Sequence, residues 1–176
     1  VLKMLGTHSV ERVHNHHNFA WWETHGGERY LVIRKGATPA FPGQRGFIGG
    51  SMGEDAVNVT GLGSEWSREA LYSTVHGAGR VMSRTEAAGK VKWRRGPDGR
   101  KRPERVRGGR VDWPSVQERV KSQGIELRGG GADEAPEVYK RLSDVLAYHE
   151  GTIRIDHRLT PIGVAMAGAE YDPYKD

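Results

Sequence analysis

Twenty-five of the 176 residues are glycine, about twice the ordinary usage of roughly 7%. They are spread along the whole chain. A backbone so often released from its Cβ has many positions that require positive φ or that run close against something else. "RYLVIR" (29–34), β-branched and aromatic between glycines, reads as a strand entering the loop "KGATPAFPGQRG". "VNVTG" (57–61) is a second strand, and "IELR", "TIRID" and "PIGVAMAG" supply three more. "DWPSVQERVKSQG" predicts a helix with Asp112 at its cap, Pro114 in its first turn and Gly124 past its end. A helix over about 134–149 is expected from Val138, Leu142, Val145 and Leu146, which fall on one apolar face. Another is expected to begin at Gly77–Ala78 and to stop at Gly89. The fold class this implies is α+β, as one domain of mixed strands and helices.

Charge is uneven. Between Arg80 and Arg110 twelve Lys/Arg stand against three Asp/Glu, a local +9, and the remainder carries −4, giving +5 in all. Residues 91–110, "VKWRRGPDGRKRPERVRGGR", are too rich in Pro, Gly and Arg to enter a core. They read as a basic surface insertion over about 90–110, a hairpin turning at Pro97-Asp98-Gly99. Either a polyanion or bulk solvent suits it, and Trp93 inside it adds the option of RNA contact. With no cysteine there is neither a disulfide framework nor a thiolate metal site. No apolar run approaches the roughly 18 residues of a membrane span, and no signal peptide is visible, so a cytoplasmic chain with no membrane partner is expected. It opens at Val1 directly into a dense motif region, as a fragment or a processed chain would.

Four short motifs carry residues that a core does not ask for. "VHNHHN" (13–18) is a histidine-rich tract of the metal-binding kind. In a strand, His14 and His16 would share one face and His17 the other, so at most two could meet one ion and the remaining ligands would come from elsewhere. Surface or hydrogen-bonded histidines are the plainer alternative. "RKGAT" (34–38) puts Arg34 and Lys35 at a strand end before glycine, where they could hold phosphate or simply be solvated. "IGGSMGED" (48–55) offers an anion-cradling turn, without the Gly-Lys-Ser/Thr of a Walker loop. "HGAGRVMSR" (76–84) sets His76 beside glycines, with Arg80 and Arg84 on one face of the expected helix and its first amides near an anion. His76 would then act as nucleophile, general acid/base or metal ligand, or be an ordinary histidine bonded to a carbonyl.

Taken in order, "HN-F-A" (17–20), "RKGAT", "GGSMG" (49–53), "HGAGRVMSR" and the closing "RLTPIGVAMAG" resemble the C-terminal half of the RtcB RNA ligases, over nearly the whole chain except the insertion. The resemblance implies an RtcB-like fold and a GTP- and Mn²⁺-dependent ligase. Such an enzyme joins RNA 3′-phosphate or 2′,3′-cyclic phosphate ends to 5′-hydroxyl ends through a GMP-histidine, in tRNA splicing or RNA repair. It makes His76 the nucleophile. Gly49, Gly50, Ser51, Met52, Gly77, Ala78 and Gly79 would line the GMP, His17 would ligate manganese, and Asn18 would lie against the nucleotide. Lys35 and Arg80 would serve phosphate or RNA. RNA, as tRNA halves or broken ends, is the implied partner, with an activating protein left open.

The departures are equally specific. The family's other metal ligands, an Asp, a Cys and two further His, belong to an N-terminal half with no counterpart here, which leaves His17 alone. Ala167 stands where a guanine-contacting lysine is usual, and Ala56 where a serine contacting the nucleotide is common. The tail "EYDPYKD" runs past the family's usual end. A non-catalytic RNA-binding paralogue is the alternative reading, and a histidine-metal phosphoesterase ranks below both.

Overall fold

The computed structural model describes residues 2–167; "EYDPYKD" lies outside the described residues. In chain order it contains β1 (Asn18–His25), β2 (Glu28–Lys35), β3 (Ala37–Pro39), β4 (Arg45–Ile48), β5 (Ala56–Gly61), α1 (Glu65–Glu69) and β6 (Ser73–Val75). These are followed by α2 (Arg84–Ala88), β7 (Lys90–Arg95), β8 (Lys101–Arg107), α3 (Trp113–Ser122), β9 (Glu126–Arg128), α4 (Leu142–Ala147), β10 (Ile153–Leu159) and β11 (Gly163–Ala165). The class is the α+β expected. The strands form small separate sheets, β1–β2, β3–β6, β4–β5–β10 and β7–β8, together with the parallel pair β9–β11. The described chain gathers into two compact units. One comprises the residues up to Gly49, Val57–Gly77 and Leu146–Arg158; the other comprises Gly50–Ala56, Ala78–Val145 and the residues from Leu159 on.

The first unit is held by period-two burial. In β5 the residues Val57, Val59 and Gly61 point inward while their neighbours are half-exposed, and Ile48 and Ile153 of the flanking strands close over them. The β1–β2 hairpin pairs from Asn18↔Lys35 to His25↔Glu28. Beneath it lies Arg34, 2% exposed, forked onto Glu23 and also donating to Ser73 Oγ (2.9 Å) and the Leu71 carbonyl (2.8 Å). Leu71 and Tyr72, both at φ 49°, form the turn this arginine grips.

The second unit packs α3 through Val116 and Val120 onto Ile125, Leu127, Val138, Ala87 and Met52. Its start and stop are those the sequence predicts: Asp112 at the cap, Pro114 in the first turn, and Gly124 at φ 78°. The basic insertion is a hairpin, also as expected. Gly96 N–H donates to the Arg100 carbonyl (2.9 Å) and Gly99 N–H to the Gly96 carbonyl (2.9 Å), closing the Pro97-Asp98-Gly99 turn.

Three local expectations fail, each for a physical reason. No helix begins at Gly77–Ala78, because Gly79 adopts φ 77° and Arg80 bridges Tyr139; the helix starts only at Arg84, where the Ser83 side chain accepts from Glu86 N–H (3.1 Å). The expected helix over 134–149 is broken into two single 3₁₀ turns and α4, since Pro136 has no N–H to give and Tyr139 is drawn extended by Arg80. The histidine tract is not a strand, as β1 starts at Asn18.

Candidate functional site

His76 owes its position to strand ends. The β3–β6 ladder pairs Ala37 with Val75, so one step further Gly36 and His76 come face to face. Gly36 adopts φ 73°, and a Cβ there would sit 3.6 Å from His76 Nε2. On its other side Gly49, just past β4, donates its N–H to the His76 carbonyl (3.4 Å) and forms a parallel bridge with Gly77. A Cβ on Gly77 would stand 3.3 Å from the Gly49 carbonyl, tighter than an ordinary contact, so the two loops run close together here. The His17 carbonyl accepts from Gly36 N–H (3.0 Å), which stacks the His17 ring on the His76 ring at 5.0 Å and 11°.

The histidine tract is latched by Asn15, which donates to Thr38 Oγ1 (3.0 Å) and the Phe47 carbonyl (3.0 Å) and accepts from Phe47 N–H (3.1 Å). His14 and His16 meet edge to face at 4.8 Å and lie before β1, so the shared strand face expected for them does not exist. Burial, and then the neighbouring His17, lower the His76 pKa below the usual histidine value. Its ring is exposed, and among the described residues no hydrogen bond ties its nitrogens. An accessible imidazole with a free nitrogen lone pair has the chemistry to attack an electrophile, take up a proton or ligate a metal.

Of the residues singled out in the sequence, His17, Asn18, Lys35, Gly49, His76 and Gly77 thus belong to the first unit. Lys35 and Asn18 are exposed partners at the open end of the β1–β2 hairpin. Arg34 is not available for phosphate, because its guanidinium is spent on Glu23, Ser73 and Leu71. Burial raises the Glu23 carboxyl, but bonds from Arg34, His25 and Trp21 outweigh it and hold the pKa below the ordinary carboxylate value.

Gly50, Ser51, Met52, Ala78, Gly79 and Arg80 belong to the second unit. A Cβ on Gly50 would stand 2.4 Å from the Asp55 carbonyl, and Ser51 Oγ donates to Glu54 (2.8 Å), which fixes a tight polar turn. Met52 is a core side chain there. The Gly79 carbonyl accepts from Lys140 N–H (2.9 Å). Arg80 donates to the Asp133 carbonyl (2.6 Å), Tyr139 Oη (2.9 Å) and the Met82 carbonyl (3.2 Å), and Arg84 pairs with Asp133 and Glu134. The expected phosphate pair is therefore engaged within the protein.

A metal does not fit these residues alone. Among the described residues no three His, Cys, Asp or Glu side chains come together, and two stacked imidazoles do not aim at a common ion. Sequence reading missed Gly36 and the latching role of Asn15; the signal for Gly36 was its place directly after a strand, before a second short strand.

The family model described as tRNA-splicing ligase RtcB matches residues 2–167. An Escherichia coli protein named RNA-splicing ligase RtcB1 is 49% identical over 86 residues, which cover 49% of this chain and 20% of that protein. The RNA-splicing ligase RtcB of strain K12 is 51% identical over 81 residues, covering 46% and 19%. The tRNA-splicing ligase RtcB of Archaeoglobus fulgidus is 33% identical over 172 residues, covering 85% and 31%. The matches thus span between about a fifth and a third of these relatives' lengths. Among the described residues no helix is long and apolar enough to cross a membrane.

Proposed function

This chain belongs to the RtcB family, and from that premise we propose that it supplies the nucleotide-accepting histidine of an RNA ligase acting on 3′-phosphate and 5′-hydroxyl ends. The observation that carries this reading is the setting of His76: exposed, stacked on His17, shifted toward the neutral form, and flanked by Gly36, Gly49 and Gly77. GTP is then a substrate. A ring nitrogen of His76 uses its lone pair to form an N–P bond at the α-phosphate, and the bond to the departing pyrophosphate breaks. The stack on His17 orients the imidazole, and the absence of a side chain on Gly36 leaves its Nε2 edge uncrowded. Lys35 and Asn18 offer an exposed cation and an amide at the neighbouring hairpin end. GMP would pass from histidine to the RNA 3′-phosphate, from which the 5′-hydroxyl displaces it. Among the described residues, His17 is the one the resemblance would assign to manganese, and the ion's remaining ligands would come from elsewhere.

Intact-mass spectrometry of the full reading frame carrying these residues, after incubation with GTP and Mn²⁺, tests the reading. The expected result is a covalent GMP on the parent and none on His76→Ala; no adduct on either would sink it. These 176 residues by themselves are expected not to ligate, for want of metal ligands, and a joined product from them would contradict that. Ala56 and Ala167 favour the second reading, a non-catalytic RNA-binding paralogue. That reading gains if neither GTP nor ATP labels the protein while RNA still binds.

A further inference from the structure

Lys90–Arg107 is not a solvated loop but an ordered ribbon clamped at its root. Gly89 and Gly109 let the two strands cross closely there: a Cβ would lie 2.4 Å from the Arg107 carbonyl at the first and 2.2 Å from the Ala87 carbonyl at the second. Arg110 and Val111 donate their N–H groups back to the Glu86 and Ala87 carbonyls of α2 (3.0 and 3.1 Å). An isolated two-stranded hairpin is marginal in water, so this anchorage is what keeps the arm in register.

The register sorts the charges onto two unequal faces. One face carries Lys92, Arg94, Arg102 and Glu104, with the pair Lys90↔Arg107 at its root, and part of its charge is met locally: Arg94 pairs with Glu104 (2.8 Å) and Arg102 with Asp98 (2.6 Å). The other carries the pairs Val91↔Arg105, Trp93↔Pro103 and Arg95↔Lys101. No acidic residue stands on it, and among the described residues Arg95, Lys101 and Arg105 make no ion pair. Because Gly96 and Arg100 form a hydrogen-bonded pair, alternation along an antiparallel ladder makes all three of these the closer, non-hydrogen-bonded kind. Arg95 and Lys101 are thus held directly opposite each other at the closer spacing, an arrangement that disfavours the free ribbon. Between the cations lie an indole that is 47% exposed and a proline.

From this face we infer a second contact site for RNA, in which single-stranded RNA lies along β7–β8 with a base on Trp93 and its phosphates on Arg95, Lys101 and Arg105. A polyanion relieves the cross-strand repulsion, and an unpaired base has the flat face that an indole can stack on. The choice of RNA rests on the ligase reading; the anion site does not.

The test is fluorescence anisotropy of the 176-residue chain with a labelled RNA oligonucleotide, single-stranded or as a duplex, over a salt series. Trp93→Ala should weaken single-strand binding at least about five-fold, the lower end of what one stacked base contributes. Arg95→Gln/Lys101→Gln/Arg105→Gln should lower the salt slope by about two, from three lost phosphates. Neutralising Lys92 and Arg94 on the opposite face should do less than either. Unchanged affinity and slope in the first two variants overturns the site. So does an equal loss from the opposite face, tighter binding to the duplex than to the single strand with no effect of Trp93→Ala, or binding to anionic phosphatidylserine vesicles with none to RNA. GMP labelling of the full reading frame should be unaffected by the arm variants. Loss of that labelling reading with arm binding intact, or the reverse, separates the two claims.

Discussion

Two arginine groups in the same unit, at 80–84 and 95–105, look alike in sequence and differ in structure. Arg80 and Arg84 follow a histidine and two glycines, the setting that suggests phosphate, yet both are bonded to groups more than 45 residues away, at Asp133, Glu134 and Tyr139. Arg95, Lys101 and Arg105 sit in a stretch whose sequence suits bulk solvent as well as a polyanion, yet they share one uncompensated face beside an indole. A cation's availability is decided by which acids the fold brings to it, and local spacing does not record that. Arg34 makes the same point in the first unit, buried on Glu23 while its neighbour Lys35 stays exposed.

The contrast should appear as a descending series of stability effects, read by denaturant or thermal unfolding. Arg34→Met leaves Glu23, whose side chain is 6% exposed, with only His25 and Trp21 as partners, and is expected to cost about 3 kcal/mol. Its signature is in pH. The depressed Glu23 carboxyl gives stability that is complete above its ordinary value of about 4.3 and is lost as pH falls through that value toward the lower one of the folded state. Wild type and Arg34→Met should therefore converge in acid, and parallel curves would refute the pairing. Arg80→Ala removes the donors to Asp133, Tyr139 and Met82 and should cost about 2 kcal/mol. The triple glutamine variant of the arm should change stability by no more than about 0.5 kcal/mol, toward gain if anything, while weakening RNA binding. If it destabilises as much as Arg80→Ala, the distinction between engaged and available cations fails.

Much of the fold was legible because its signals are local. Asp112, Pro114 and Gly124 mark α3, β-branched runs mark β2 and β5, and Pro97-Asp98-Gly99 marks the hairpin turn. The failures are contacts between distant residues. Arg80 drawing Tyr139 into a bridge breaks the helix expected over 134–149, and no periodicity in that stretch announces it. The Ser83–Glu86 cap was readable but was overshadowed by the glycines before it. The His17–His76 stack joins residues 59 apart, and only the ordered set of motifs pointed to it; Gly36, its third member, carries no chemistry of its own and was passed over.

Pro103, opposite Trp93, has one more consequence. In a non-hydrogen-bonded pair the backbone nitrogen faces away from the partner strand, so the missing N–H of Pro103 interrupts the outer rim of β8. A strand from another molecule arriving there finds a gap in the donors and a row of like charges, and cannot zip up against it. The arm can therefore stand out in water for its whole length without seeding aggregates, and the chain should stay monodisperse at concentrations where a bare ribbon of this size would self-associate.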